Sequence, residues 1–104
     1  MKEKALKIIE HYGVSHQLKK LSEEVFELQE ATTIHELKKS VEYEIPLTEI
    51  IGTREHIIEE LGDARFVLLQ IQSWYGITDE EIEKVMIFKG NRQLERLKNE
   101  NKLL

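Results

Sequence analysis

Several residue types are absent or scarce, and each shortage excludes a class of protein. Cysteine is missing altogether, which excludes disulfides, thiolate catalysis and cysteine-ligated zinc. No apolar run approaches the ~18 residues of a membrane-spanning helix. Basic residues are outnumbered by acidic ones, 15 to 20, whereas a general nucleic-acid-binding protein needs a basic face. With one proline and five glycines in 104 residues, little in the chain opposes long helices.

These limits favour a small helical protein. Residues 1–104 suffice for one domain with a modest core. Residues 1–4, three of which are charged, lead into no apolar segment of the secretion-signal type. We therefore expect an all-α, cytoplasmic protein of a single domain, with neither a membrane nor a nucleic acid as its partner.

Apolar residues at helical spacing predict four or five helices. The first covers residues 3–11, and Ser15 is the expected N-cap of the second. The second helix either continues to Lys39 or gives way to a short helix that Thr33 caps. Residues 40–52 predict a packed loop, such as a lid or a subunit contact, because they combine apolar side chains with a proline that would disrupt a helix interior.

The second half of the chain predicts two further helical stretches. A third helix, from about Arg54 to Tyr75, is apolar nearly all round, as are helices at the centre of a bundle or at an oligomer interface. Thr78 begins a capping box for the next helix, which Gly90 bends or ends. Residues 99–104 are expected to fray.

Two pairs of carboxylates lie within these helices at the same spacing. Glu24 and Glu27 occur on the second helix, and Glu60 and Asp63 on the third. Residues three apart lie on the same side of an α-helix, about one turn apart. If the two helices pack side by side, four carboxylates meet, and such a cluster repels itself unless cations lie within it. An all-oxygen site of this kind suits a hard divalent cation, with Mg²⁺ favoured and Mn²⁺ as the alternative.

The second helix also carries an apolar stripe that we expect to face the core. Its members are Leu18, Leu21, Val25 and Leu28. Gln17, Lys20, Glu24 and Glu27 form a second line beside this stripe, where the carboxylates could border a cleft. A solvated helix face paired with lysines is the competing interpretation for this first carboxylate pair. It is weaker for the pair on the third helix, because an unpaired charge among apolar neighbours is unfavourable.

The two motifs together resemble those of the MazG-like all-α nucleoside triphosphate pyrophosphohydrolases, in particular the small phage-type members. The family signature is Glu-Glu-x-x-Glu on one helix and Glu-x-x-Asp on the next long one, here residues 23–27 and 60–63. Lys89 to Arg92 downstream adds to the likeness, which covers roughly residues 15–97. The gap between the two motifs is longer than is usual in the family, and this departure concerns the loop more than the metal ligands.

The resemblance implies a four- to five-helix bundle that forms homodimers or homotetramers. It also implies hydrolysis of a nucleoside triphosphate between its α and β phosphates, which gives a monophosphate and pyrophosphate. By match to the motif, the catalytic and Mg²⁺-ligating carboxylates are Glu24, Glu27, Glu60 and Asp63. Glu23 is a weaker ligand candidate, since its helical angle points away. The sequence does not single out a general base.

A triphosphate also needs cations and a surface for its base. The candidates for binding the substrate are Lys89, Asn91, Arg92, Lys20 and Gln17. Lys89 and Arg92 would meet the phosphates, although such residues equally often complement a helix C-terminus. Gln17 and Gln70 are candidates for reading a base or a ribose, and Tyr12 is a candidate for stacking on a base.

Alternatives remain open at this point. Within the enzyme class, the alternative is a phosphoribosyl-ATP pyrophosphohydrolase or a dUTPase-like enzyme. Outside it, the alternative is a catalytically silent helical module that oligomerises and binds a partner protein. Trp74 and Tyr75 are further candidates for stacking, but a side chain such as Trp74 more often belongs to a core or an interface. A homo-oligomer is expected because the third helix is too apolar for so short a chain to bury alone.

Overall fold

The computed structural model describes residues 1–41 and 43–103, and within them the chain is all-α, with four helices and no strand. The helices are α1 (Lys2–Tyr12), α2 (Val14–Lys39), α3 (Leu47–Trp74) and α4 (Asp79–Leu103). The all-α prediction is therefore confirmed. Among the described residues, no helix is long and apolar enough to cross a membrane. Glu42, in the predicted loop, and Leu104, at the end predicted to fray, lie outside the described residues.

A single residue, Gly13, joins α1 to α2. Its backbone angles, φ 88° and ψ 156°, lie in a region that residues with a side chain rarely adopt. Its N–H donates to the Ile9 carbonyl at 2.8 Å, and its carbonyl accepts from the Gln17 N–H at 3.1 Å. Gly13, and not Ser15, is the N-cap of α2, so that part of the prediction is wrong. The helix restarts at once because the turn is made by glycine's positive φ and requires no capping side chain.

Replacing Gly13 by alanine should lower the free energy of unfolding by about 1–3 kcal/mol, the typical strain of a side-chain-bearing residue in this region. No atom lies within 4 Å of the added Cβ, so the effect comes from the backbone alone. Gly52→Ala is the matched control, because Gly52 lies inside α3 and its Cβ would also meet open space. Alanine there should stabilise by about 0.5–1 kcal/mol through helix propensity. Urea unfolding measures both variants, and effects of the same sign would contradict a strained turn at Gly13.

The second helix continues without a break to Lys39, which confirms the longer of its two predicted ends. Thr33 does not cap a new helix. Its hydroxyl donates instead to the Gln29 carbonyl at 2.8 Å, one turn back inside α2.

The predicted loop at residues 40–52 is wrong in its second half, because α3 begins at Leu47 and not near Arg54. Pro46 occupies the N-cap, where a missing N–H breaks no helical hydrogen bond. The proline therefore starts the helix that it was expected to prevent. Gly52 does not interrupt α3, since one glycine in a helix costs only about 1 kcal/mol.

The predicted capping box opens α4. The Thr78 N–H donates to Glu81 Oε2 at 2.8 Å, and the Glu81 N–H donates to Thr78 Oγ1 at 3.2 Å. Gly90 does not end this helix, so that one of its two predicted effects is wrong. Residues 99–103, which were expected to fray, are helical. The first turn contacts the rest of the chain through Asp79, whose carboxylate accepts from the Gln72 amide at 2.8 Å and lies 3.0 Å from the Lys2 ammonium. Both contacts lower the pKa of Asp79.

The third helix is central, since α1 and α2 both pack against it. α2 and α3 are antiparallel, as three side-chain contacts along their length show: Gln17 with Gln70 at 2.6 Å, His35 with Thr53 at 2.7 Å and Lys38 with Glu49 at 3.7 Å. In contrast, α4 packs against none of the other helices within the described part of the chain. The fold is thus a three-helix unit with a fourth helix that extends from it.

The buried side of α2 differs from the predicted leucine stripe. Gln17, Glu24 and Ala31, seven residues apart, are buried, whereas Leu18 and Val25 are 49% and 41% exposed. The prediction is therefore wrong for two of the four members of the stripe. The physical reason is that α2 presents polar groups to α3, where Gln17 meets Gln70 and Glu24 meets the carboxylates of Glu60 and Asp63.

A candidate metal centre

Three carboxylates converge where α2 meets α3. One oxygen each of Glu24, Glu60 and Asp63 lies within 4.8 Å of the others. Glu24 is 4% exposed and Glu60 6%, while Asp63 opens to solvent. The antiparallel packing places the acidic segment of α2 opposite that of α3, so the structure brings together three of the four predicted ligands.

The fourth predicted ligand, Glu27, is exposed and is not one of the three carboxylates that converge, although its carboxyl helps to raise the pKa of Glu60. Glu23 points to solvent, with its carboxylate 3.9 Å from the Lys20 ammonium. Lys20 Nζ lies closer to Glu24 Oε1, at 3.1 Å, and this hydrogen bond raises the pKa of Lys20. One ammonium group therefore lies beside the carboxylate cluster and compensates part of its charge.

Two buried oxygens at this centre have no protein partner. Glu24 Oε2 and Glu60 Oε2 are enclosed, and no residue within 1–41 or 43–103 donates a hydrogen bond to either. Burial raises the pKa of Glu60, and the carboxyls of Glu27, Asp63 and Glu24 raise it further. His56 gives little compensation, because its Nε2 is 3.8 Å from Glu60 Oε1 and the ring is half-exposed.

Buried polar atoms almost always have a partner, so these two oxygens point to a group that the protein itself does not supply. The donor set consists of carboxylate oxygens alone, which suits a hard divalent cation better than a soft one. Glu24, Glu60 and Asp63 thus form a cluster that could hold a metal ion.

A cavity of about 500 Å³ opens beside this centre, within the size range of small-molecule sites. Lys20, Glu24 and Asp63 line one part of it. Tyr12, His16, Gln17, Phe66 and Gln70 contribute to the rest of the lining. His16 and Phe66 were not predicted from the sequence to belong to the site. Neither residue belongs to a recognisable motif. The only feature of the sequence that indicates a role for His16 is its position directly before Gln17.

The remaining predicted substrate-binding residues are elsewhere. Lys89, Asn91 and Arg92 lie on α4, are exposed and do not line the cavity. α4 leaves the three-helix unit after its first turn, so these residues do not meet the carboxylates of their own chain. Trp74 and Tyr75 are also exposed and do not line the cavity.

The fold and the cluster together define a small all-α protein with a buried acidic centre beside an open cavity. No family model, no curated protein and no solved structure matches the chain.

Proposed function

We propose that the protein is a Mg²⁺-dependent nucleoside triphosphate pyrophosphohydrolase, which cleaves its substrate between the α and β phosphates. The observation that carries the proposal is the pair of buried, unpartnered oxygens of Glu24 and Glu60. The adjoining cavity has room for a nucleotide, and its lining changes from charged side chains to aromatic and amide ones. The sequence resemblance to the MazG-like family supplies the choice of reaction.

In this proposal Glu24, Glu60 and Asp63 hold the ion, and Glu27, whose carboxyl helps to raise the pKa of Glu60, lies beside them. When bound, Mg²⁺ neutralises phosphate charge and lowers the pKa of water. Water attacks the α-phosphorus, the bond from that phosphorus to the bridging oxygen breaks, and pyrophosphate leaves. Glu27 is the carboxylate best able to take the proton of the water, because it is exposed beside the cluster. Lys20 lines the cavity and donates to a phosphate oxygen.

A second copy of the chain completes the site. Exposed apolar residues lie on the flank of the α2–α3 pair that helical geometry places away from Lys20 and Asp63: Leu18, Val25, Leu61 and Leu68. Others share one broad face of α4: Ile82, Met86, Ile87, Leu94 and Leu97. Exposed apolar surface of this extent marks an interface. In this proposal a homodimer or homotetramer buries this surface, and Lys89 and Arg92 of one chain meet the carboxylates of another, because α4 does not pack against the described helices of its own chain.

The experiment that tests the proposal measures pyrophosphate release from a panel of ribo- and deoxyribonucleoside triphosphates, together with thermal unfolding, each with and without Mg²⁺. We expect release from one or a few substrates. We also expect Mg²⁺ to stabilise the fold by about 2.7 kcal/mol at a concentration 100 times its Kd, which corresponds to a shift of roughly 10–20 °C for a domain of this size.

The possible failures have different meanings. No pyrophosphate release, together with no effect of Mg²⁺ on unfolding, would contradict the proposed enzymatic function. They would favour a silent helical module that binds a partner protein, which the exposed apolar face of α4 also suits. Stabilisation by Mg²⁺ without release would support the metal centre and show that the panel lacks the substrate.

A further inference from the structure

Three side chains of the cavity form a chain of hydrogen bonds. His16 Nδ1 lies 2.7 Å from Gln17 Oε1, and Gln17 Nε2 donates to Gln70 Oε1 at 2.6 Å. Gln17 is 4% exposed and Gln70 3%, and both line the cavity together with His16. Both contacts are short, the one between the two glutamines is buried and the one to His16 is part-buried, so they fix the orientation of both amides.

This chain has a direction. An amide oxygen only accepts hydrogen bonds and an amide nitrogen only donates them. Because His16 Nδ1 faces the Gln17 oxygen, it must carry a hydrogen, and Gln17 must then turn its nitrogen toward Gln70. Gln70 accepts with its oxygen and is left with its own Nε2 group, for which the described residues provide no acceptor. The last group in the chain is therefore a donor.

The distance from this donor to the metal centre suits a nucleotide. Gln17 and Glu24 are seven residues apart on α2, and Asp63 and Gln70 are seven apart on α3, which is about 10 Å along each axis at 1.5 Å per residue. If the α-phosphate lies at the carboxylates, an extended nucleoside reaches the two amides. The part of the base that meets them is the edge farthest from the sugar. At the same part of the cavity, the Tyr12 and His16 rings stack at 5.0 Å and offer flat surfaces.

We propose that the Gln17–Gln70 pair, oriented by His16, selects a base with a carbonyl oxygen on its far edge, namely a 4-oxopyrimidine or a 6-oxopurine. A base with an amino group at that position would place a donor against the Gln70 donor. The inference rests on the proposed function for the presence of a nucleotide, and it adds the class of base. Gln70 contacts the base directly, and His16 is a positioning residue.

Matched substrate pairs test this directly, because UTP and CTP differ at position 4 and ITP and ATP at position 6. We expect kcat/KM to favour UTP over CTP and ITP over ATP by about tenfold or more, since an amino group leaves the Gln70 donor without an acceptor. The deoxyribonucleotide pairs should show the same ratio. Equal values within both pairs, or a preference for the amino bases, would overturn the proposal.

Variants of the chain of hydrogen bonds add a second test. Gln70→Leu removes the donor, and His16→Ala frees both amides to turn, so each should bring the oxo-to-amino ratio close to one. His35→Ala is the matched control, because His35 also lies on α2 and contacts Thr53 at 2.7 Å, outside the cavity lining. That variant should keep the wild-type ratio. A ratio that stays high in Gln70→Leu, or falls equally in all three variants, would overturn the proposal.

Failure of this inference can be told apart from failure of the proposed function. If triphosphates are cleaved without base preference, the reaction stands and the inference is wrong. If none is cleaved, calorimetry with UMP and CMP still measures selection by the cavity. Tighter binding of UMP by about tenfold would support the inference, whereas equal binding, or no binding of either, would overturn it.

Discussion

Glu60→Gln is expected to abolish Mg²⁺-dependent pyrophosphate release and, in the absence of metal, to raise the melting temperature at neutral pH. Glutamine keeps the shape of the side chain and removes its charge. Activity falls because the cluster loses a buried anionic oxygen at its centre. The metal-free fold gains stability because a carboxylate that is 6% exposed, and that faces Glu24 and Asp63, is replaced by a neutral group.

The gain should depend on pH with a definite sign. Burial and the neighbouring carboxyls raise the pKa of Glu60 in the folded protein. The carboxyl therefore opposes folding only when it is ionised, so its cost is absent below its unfolded pKa and grows as the pH rises through its folded pKa. Without metal, the melting temperatures of the variant and the wild type should converge in acid and separate toward neutral pH. Mg²⁺ should reverse their order, because it stabilises the wild type alone.

Glu55→Gln is the control for this experiment, since Glu55 is an exposed glutamate on the same helix and its replacement makes the same change in charge. It should retain pyrophosphate release and the stabilisation by Mg²⁺. A Glu60→Gln protein that is still stabilised by Mg²⁺ as strongly as the wild type would show that the ion does not bind at this cluster. Thermal unfolding from acid to neutral pH, with EDTA or with Mg²⁺, provides the measurement.

Local signals in the sequence predicted most of the helices, because the groups that decide them are close in the chain. The capping box of Thr78 and Glu81 needs only residues three apart, and it forms as expected. Pro46 was misjudged because a proline is compatible with either a loop or a helix start, and the sequence alone does not distinguish them. The N-cap of α2 was misjudged as Ser15, because a pattern of apolar residues does not show that Gly13, with its positive φ, starts the helix.

At the site, too, features set by residues close in the chain were predicted, and features set by contacts between helices were not. Spacing alone placed Glu60 and Asp63 on one side of a helix, and the structure brings both together with Glu24. The burial of Gln17 and Glu24 could not be predicted, because periodicity arguments assign the interior to apolar residues. Gln17 is buried against Gln70 and Glu24 against the carboxylates of α3, and both contacts depend on the register between α2 and α3.

Leu18 and Val25 were also misjudged, since their side chains were expected in the core and are exposed in the single chain. The apolar pattern that predicted their burial does not distinguish a core from a subunit interface.

The exposed α4, with apolar residues on one face and Lys89 and Arg92 beside it, leads to the second prediction with a large expected effect. In that prediction the carboxylates and the cations of one active site come from different chains.

Two inactive variants should therefore restore activity when they are mixed. Glu60→Gln lacks the metal centre, and the double variant Lys89→Ala/Arg92→Ala lacks the cations, so each alone should release almost no pyrophosphate. In a mixed dimer with one chain of each kind, one site has both sets intact and the other has neither. Half of the dimers are mixed after random reassembly and each has one working site, so we expect about a quarter of the wild-type activity, as symmetry requires for two equivalent sites. Unfolding and refolding the mixture together, followed by an assay of pyrophosphate release, measures the recovery.

The amount of recovery separates the two arrangements of the site. If α4 instead folded back on its own chain, every site of a mixed dimer would lack one set of residues, and activity would stay near that of the separate variants. Glu60→Gln mixed with Glu24→Gln is the control that should never recover, because both changes affect the same cluster. Size-exclusion chromatography must show that each variant forms the same oligomer as the wild type. With that established, an absence of recovery would place the phosphate-binding cations and the carboxylates in the same chain, and recovery to about a quarter would place them in two.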